Sequence, residues 1–149
     1  EVRLSNESKR RLTAMMAIDS EIESIADALL GGGKILLRKQ ESRVHFNEEI
    51  YANIDLMFGY VDKSIKVMLK VLNNLENVDE HDIIAAYNRE RETNNLRNQL
   101  RTANVENINS RYYEYQSGIY YMDIVSTLEK AGDFIINVID TIREEFRKR

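Results

Sequence analysis

Two pairs of carboxylates with the spacing Glu-x-x-x-Asp stand out in this chain, Glu23 with Asp27 and Glu129 with Asp133. Residues four apart lie on the same face of an α-helix, one turn from each other. Like charges at that separation repel unless a cation or a buried water network offsets the repulsion, and carboxylate oxygens are good ligands for hard cations. The two pairs therefore indicate a metal site. The alternative is that they are solvated surface charges, as most carboxylates are.

The apolar residues that must position these carboxylates recur at helical spacing, and they predict four helices and no strand. The helices are expected over about residues 5–30, 43–75, 79–107 and 115–147. The apolar seam predicted for the first helix is Met15, Ile18, Ile22, Ile25 and Leu29. The seam predicted for the second is Ile50, Ile54, Met57, Val61, Ile65, Met68, Leu72 and Leu75, and for the fourth Tyr121, Val125, Leu128, Gly132, Ile135, Ile139, Ile142 and Phe146. The triple glycine 31–33 is expected to end the first helix, because glycine supplies a left-handed cap and is costly inside a helix. Long amphipathic helices with short connections favour an all-α antiparallel four-helix bundle, formed by residues 1–149 as one domain.

Each acidic pair has the same predicted relation to the apolar seam of its helix. Glu23 and Asp27 follow Ile22 and Ala26, and the second pair follows Leu128 and Gly132 in the same way. Both pairs are thus expected at the border of the core. The small residue before each Asp would let a neighbouring helix or a ligand approach.

The overall composition excludes several classes of protein. The 149 residues carry a net charge of -4 and no cysteine, which argues against nucleic acid as a partner and excludes disulfides and thiolate chemistry. No segment approaches the length of apolar sequence that a transmembrane helix needs, so no direct membrane insertion is expected. The chain begins at Glu1, which suggests a fragment of a longer protein, with processing as an equally simple explanation.

The sequence offers no catalytic motif, and we expect a protein that is not an enzyme. The di-iron motif Glu-x-x-His is absent, because Ser42 and Val78 stand three residues before His45 and His81. No serine or cysteine is recognisably set beside a base. Glycines 31–33 follow a helix and lack the Lys-Ser/Thr ending of a phosphate-binding loop.

The acidic segments carry a resemblance to a known family. Residues 128–133, LEKAGD, followed by Asn137, resemble the signature of the PhoU family, whose core is Glu-Arg-Ile-Gly-Asp with a downstream Asn-Ile. Residues 21–27, EIESIAD, look like a weaker copy of it. Residues 65–72 and 87–94 are similar to the second and third helices of that family, in the same order, so the resemblance covers nearly the whole chain.

The resemblance implies a metal site, since the acidic residues of that family hold clusters of metal ions, often iron, on the bundle surface. Divalent or iron-type ions would then be the cofactors. The corresponding ligands in this sequence are Glu23, Asp27, Glu90, Glu129 and Asp133. Asn94 stands where the family usually has Asp, and Ser24 and Lys130 stand where it has Arg.

The resemblance also implies a function. Short PhoU-like domains occur on the C-terminal side of bacterial sodium/phosphate cotransporter-related proteins, which predicts a regulatory or docking domain at the cytoplasmic face of the inner membrane. Its partners would be the transporter's membrane domain or phosphate-signalling proteins. One alternative is a stand-alone cytoplasmic phosphate-signalling regulator. Another is a purely structural bundle that forms homo-oligomers.

Overall fold

The computed structural model describes residues 4–146, and this part of the chain is helical with no strand. The helices are α1 (Asn6–Glu41), α2 (Glu48–Leu72), α3 (Glu80–Asn109) and α4 (Tyr115–Glu145), with a short 3-10 helix at Leu75–Asn77. The predicted all-α bundle of four long helices is confirmed. The second helix is shorter at both ends than predicted, and residue 147, the predicted end of the fourth helix, lies outside the described residues.

Consecutive helices run antiparallel, and α4 is the central element. α2, α3 and α4 pack against one another in all three pairings, whereas α1 packs chiefly along α4. Contacts from Arg10 to Glu145 at one end and from Ser42 to Tyr120 at the other show that α1 and α4 are antiparallel over most of their length. The buried residues of α4 cover an arc of roughly 160° of this helix.

The prediction that residues 31–33 end the first helix is wrong, because α1 continues to Glu41. No glycine in residues 4–146 has a positive φ, so the three glycines are ordinary helical residues. Contacts beyond them hold the last turns of α1. Ile35 is buried in the core, and the Ser42 and Tyr120 hydroxyls lie 2.9 Å apart. These tertiary contacts offset the low helix propensity of glycine.

Arginine, not glycine, occupies the left-handed position after two of the helices. Arg43 after α1 and Arg111 after α3 both have a φ of 57°. At the first of these ends, Arg43 N–H donates to the Gln40 carbonyl and Val44 N–H to the Lys39 carbonyl. The second end has the same pair of bonds, which is the Schellman arrangement.

The predicted apolar seams agree with the structure on α2 and α4 but not on α1. The α4 seam residues that are buried as predicted are Tyr121, Val125, Leu128, Gly132, Ile135, Ile139 and Ile142. On α1, Ile18 and Ile25 are buried, but Met15 is 55% and Ile22 40% exposed. The core side of α1 is therefore rotated away from the predicted seam. None of the helices in residues 4–146 is long and apolar enough to cross a membrane.

Candidate functional site

The α1 pair, Glu23 and Asp27, lies on the solvent side of its helix. Both residues are exposed, and they flank the buried Ile25 by two residues on either side. At about 100° per residue, a position two away lies roughly 160° around the helix from Ile25. The adjacent Ile22 and Ala26 are exposed as well, so they are not core positions.

The α4 pair, Glu129 and Asp133, lies beside α3. The residues that precede it, Leu128 and Gly132, are buried, and a Cβ added to Gly132 would lie 3.8 Å from Thr93 Cγ2 on α3. The glycine therefore lies at the interface between the two helices, where a methyl group would make ordinary van der Waals contact with Thr93. The prediction that both acidic pairs have the same relation to the core is wrong, because α1 is rotated relative to its predicted seam, whereas the predicted seam of α4 faces the core.

The cation beside the α4 pair is Arg97 of α3. Its Nη1 atom lies 3.2 Å from Glu129 Oε1, and the two side chains are 21% and 16% exposed. Burial raises the pKa of the Asp133 carboxyl, and the positive charge of Arg97 partly offsets that rise. One guanidinium thus acts on both carboxylates. The repulsion that the spacing predicts is reduced by a residue of the chain itself.

Glu90, the third-helix candidate, is held by its own helix. Asn94 Nδ2 donates to Glu90 Oε1 at 2.6 Å. Glu90, Asn94 and Arg97 follow one another at spacings of four and three, so they share a face of α3. We call these three residues, with Glu129 and Asp133, the α3–α4 polar cluster. Arg97 was not predicted to be part of the site. Its position seven residues after Glu90, two turns along the same helix face, was the signal in the sequence that could have identified it.

The structure brings the two signature segments together through one polar contact. Asn137 Nδ2 on α4 donates to Glu21 Oε2 on α1 at 3.3 Å. Both residues belong to the segments that resemble the family signature. The contact stabilises the packing of α1 along α4 and does not involve the predicted metal ligands.

In the α3–α4 polar cluster, the two carboxylates that a cation could reach together are those of Glu129 and Asp133. Within residues 4–146, no three His, Cys, Asp or Glu side chains are grouped so that they could hold a metal ion. Glu129 and Asp133 could hold one, provided that Arg97 moves away from Glu129. Glu23 and Asp27 would bind a cation separately, on the outside of α1. The carboxylates of both pairs are suitable ligands for a hard cation. At the α4 pair, such a cation would compete with Arg97 for the carboxylate of Glu129.

No protein family model, curated protein or solved structure matches this chain. The likeness to the PhoU signature therefore rests on the residues themselves. Two of those residues lie at helix contacts in the structure, since Gly132 is buried at the interface with α3 and Asn137 donates a hydrogen bond to Glu21 of α1.

Proposed function

We propose that this chain is a PhoU-like regulatory or docking domain that acts beside a bacterial sodium-dependent phosphate transporter, at the cytoplasmic face of the inner membrane. The observation that carries the proposal is the position of the signature on α4. Its glycine lies at the interface with α3, near Thr93, and one of its two carboxylates, Glu129, forms an ion pair with Arg97 of α3. A signature segment that also joins two helices can couple a bound ligand to helix packing.

The coupling follows from the charges of the α3–α4 polar cluster. A cation on Glu129 and Asp133 would replace Arg97, and the freed guanidinium would become available to another anion. A ligand shifts a conformational equilibrium when it binds the two states with different affinity. A divalent or iron-type ion would bind more tightly to the state in which Arg97 has moved away from Glu129. Its binding would favour that state and so change how α3 packs on α4, next to an attached or bound transporter.

Transport measurements test the regulatory role. Sodium-dependent uptake of labelled phosphate is compared in bacterial cells that carry or lack this chain, in its natural full-length context. We expect the chain to change uptake, and Glu129→Ala with Asp133→Ala to abolish the change. The control is Glu106→Ala with Glu144→Ala, which also removes two carboxylates, one exposed glutamate from α3 and one from α4. Uptake that is indifferent to the chain would refute the proposal.

Metal binding is tested separately with Mn²⁺, Zn²⁺ and Fe²⁺, by titration calorimetry and by metal analysis of protein purified without chelators. Because Arg97 competes for the same carboxylate, Arg97→Gln should bind these ions at least about tenfold more tightly than the unmodified chain. Glu129→Ala with Asp133→Ala should not bind at this site. If Arg97→Gln gains no affinity, the metal part of the proposal fails, while the docking role is still tested by uptake.

A further inference from the structure

An open apolar groove lies between α1 and α2, which both pack on α4. Each wall is a row of large apolar side chains that recur every seven residues, which is close to two helical turns. The rows are Met15, Ile22, Leu29 and Leu36 on α1, and Tyr51, Phe58, Ile65 and Leu72 on α2. Five of these eight side chains are between 37% and 55% exposed, and the other three are half-buried. We call this surface the α1–α2 groove.

Contacts at both ends of the groove show that the two rows face each other. At one end, Lys39 Nζ of α1 donates to the Tyr51 hydroxyl of α2 at 2.9 Å. At the other end, Arg11 Nη1 of α1 lies 4.0 Å from Glu76 Oε1, in the short 3-10 helix that follows α2. The two helices are antiparallel, so the α1 row meets the α2 row in reverse order.

Between these contacts the groove is open to solvent. A cavity of about 570 Å³ lies between Leu36 of α1 and Tyr51 of α2. Farther along, Phe58 is 53% and Ile22 40% exposed, and a Cβ added to Gly33 would meet no atom within 4 Å. From residue 15 to residue 36 of α1 the groove is about 30 Å long, which matches one further helix of about 20 residues. Contiguous exposed apolar surface of this kind marks an interaction site.

Both rims of the groove carry carboxylates. On α1, Asp19 and Glu23 lie roughly 70° and 110° around the helix from the middle of the apolar row, on the side away from the core. On α2, Asp55 and Asp62 lie roughly 70° and 50° from the middle of its row, also on the outer side. Asp19, Glu23 and Asp55 are exposed, and none of the three has an ion-pair partner among residues 4–146.

The cations nearest to the groove do not neutralise these rims. Lys66 already bonds to Asp62 at 2.6 Å, and Lys39 lies over the rings at the closed end. Arg11 is shared between two exposed glutamates at the opposite end. Lys34 lies roughly 130° around α1 from the apolar row, well outside the rim. The groove is therefore apolar along its walls and negative along both edges.

We propose that the α1–α2 groove binds an amphipathic helix of a partner protein, one with apolar side chains at spacings of three and four and with Lys or Arg on both flanks. The apolar stripe of such a helix would cover the two rows, and its basic flanks would lie along the two acidic rims. An anionic membrane surface would be repelled by the same rims. A second copy that used this groove would bring the carboxylates of the two chains together.

The groove shares no residue with the α3–α4 polar cluster. The proposal therefore does not rest on the metal binding or the transport role proposed above, and its failure would leave both untouched.

A synthetic helix of about 21 residues tests the binding, with leucine on its apolar stripe, lysine on both flanks and one central tryptophan. Because the chain contains no tryptophan, a blue shift of the emission reports burial of the peptide. At concentrations where the peptide alone is monomeric, we expect saturable binding with a dissociation constant below about 100 μM. The same peptide with glutamate in place of lysine should bind at least about tenfold more weakly.

Shortened side chains in the groove test the apolar contact. Ile22→Ala with Phe58→Ala should raise the dissociation constant of the lysine peptide at least about tenfold, because both side chains would be covered by it. The matched control is Ile84→Ala with Val105→Ala, since these residues of α3 are 50% and 54% exposed. The control should bind like the unmodified chain. Circular dichroism establishes that both variants remain helical.

Charge reversal on the rims tests the choice of partner. Asp19→Lys with Asp55→Lys should invert the preference, so that the glutamate peptide binds more tightly than the lysine peptide. Glu106→Lys with Glu144→Lys changes the net charge equally, at exposed positions of α3 and α4. This control should still prefer the lysine peptide, which separates the rims from the overall charge of the chain.

Four results would overturn the proposal. The first is no binding of the lysine peptide up to about 1 mM, a concentration that still detects weak complexes. The second is equal loss of affinity in the groove variant and its apolar control. The third is equal affinity for the lysine and glutamate peptides. The fourth is a groove that Phe58 commits to another occupant, seen as a dimer of the chain or as cosedimentation with phosphatidylglycerol vesicles that Phe58→Ala abolishes.

Discussion

The guanidinium of Arg97 on α3 lies 3.2 Å from the carboxylate of Glu129 on α4, and both side chains are mostly shielded from water. A shielded ion pair gives little net stability by itself, but removal of one partner leaves the other charge without compensation. Here the loss would affect two acids, because Asp133 also feels the charge of Arg97. The pair is therefore one of the contacts that join α3 to α4, and its loss would expose two carboxylates to each other without a cation.

Replacement of Arg97 should destabilise the bundle. We expect Arg97→Met to lower the free energy of unfolding by about 2 kcal/mol at neutral pH, since Glu129 loses its partner. Urea denaturation monitored by circular dichroism measures this. Arg101→Met, at an exposed position of the same helix, is the control and should change stability little. The double variant Arg97→Met with Glu129→Leu should recover most of the loss, and failure to recover would mean that the ion pair is not the cause.

Glycines in this chain differ in whether a methyl group fits. A Cβ at Gly33 or Gly59 would meet no atom within 4 Å, so Gly33→Ala and Gly59→Ala should each stabilise the chain by up to about 1 kcal/mol through helix propensity. A Cβ at Gly118 would lie 2.5 Å from Ile108 Cδ1 and 2.8 Å from Asn104 Oδ1. Gly118→Ala should therefore cost about 1–3 kcal/mol.

Thermal unfolding of the three variants compares them directly. A destabilised Gly33→Ala would contradict the regular helical course of α1 through its glycines.

The left-handed residues at two helix ends should be improved by glycine. Arg43 and Arg111 both have a φ of 57°, a conformation that costs residues with a side chain about 1 kcal/mol or more. We expect Arg111→Gly and Arg43→Gly each to raise the free energy of unfolding by about 0.5–1 kcal/mol, after the larger entropy of glycine in the unfolded chain is subtracted.

Arg101→Gly should instead lower the free energy of unfolding, because Arg101 lies within α3, where glycine costs about 1 kcal/mol. Denaturant titration of all three variants measures the contrast. Equal effects at the three positions would contradict the assigned helix ends.

The buried Tyr121 hydroxyl should make the chain sensitive to alkaline pH. Burial raises the pKa of Tyr121 from 10.0 to about 12, and the nearby Asn53 side chain opposes the rise. Below pH 10 the hydroxyl is protonated in both the folded and the unfolded chain, so it does not make the free energy of unfolding depend on pH. Between pH 10 and about 12 the unfolded chain releases the proton first, and stability falls as pH rises.

Tyr121→Phe has no such proton, so its advantage over the unmodified chain should grow by up to about 2 kcal/mol across that interval. Urea midpoints at a series of pH values below and above 10 measure this growth. Tyr115→Phe is the surface control, because Tyr115 is 66% exposed. Curves for Tyr121→Phe and the unmodified chain that stay parallel throughout would rule out the effect of burial.

The sequence by itself determined the bundle and the seam of its central helix. On α4 the apolar residues from Tyr121 to Ile142 recur so regularly that one face had to be buried, and the structure buries it. The start of α3 was also predicted, since the third helix was expected from residue 79 and the Asp79 side chain caps it. The start of α2 was predicted too early, at residue 43, whereas its cap is Asn47. These features are local, because helical spacing and capping depend on neighbours within one or two turns.

The tertiary structure decided the course of α1 and the chemistry of the acidic pairs. Packing against α4 keeps glycines 31–33 helical and rotates α1, which moves Ile22 out to solvent and Ile25 into the core. Two equal sequence motifs thereby acquired different surroundings, one facing water and one beside Arg97. Local spacing shows which residues share a face, but the direction of that face depends on the free energy of packing among distant segments. The sequence thus predicted carboxylates in pairs, and the fold supplied the cation beside one pair.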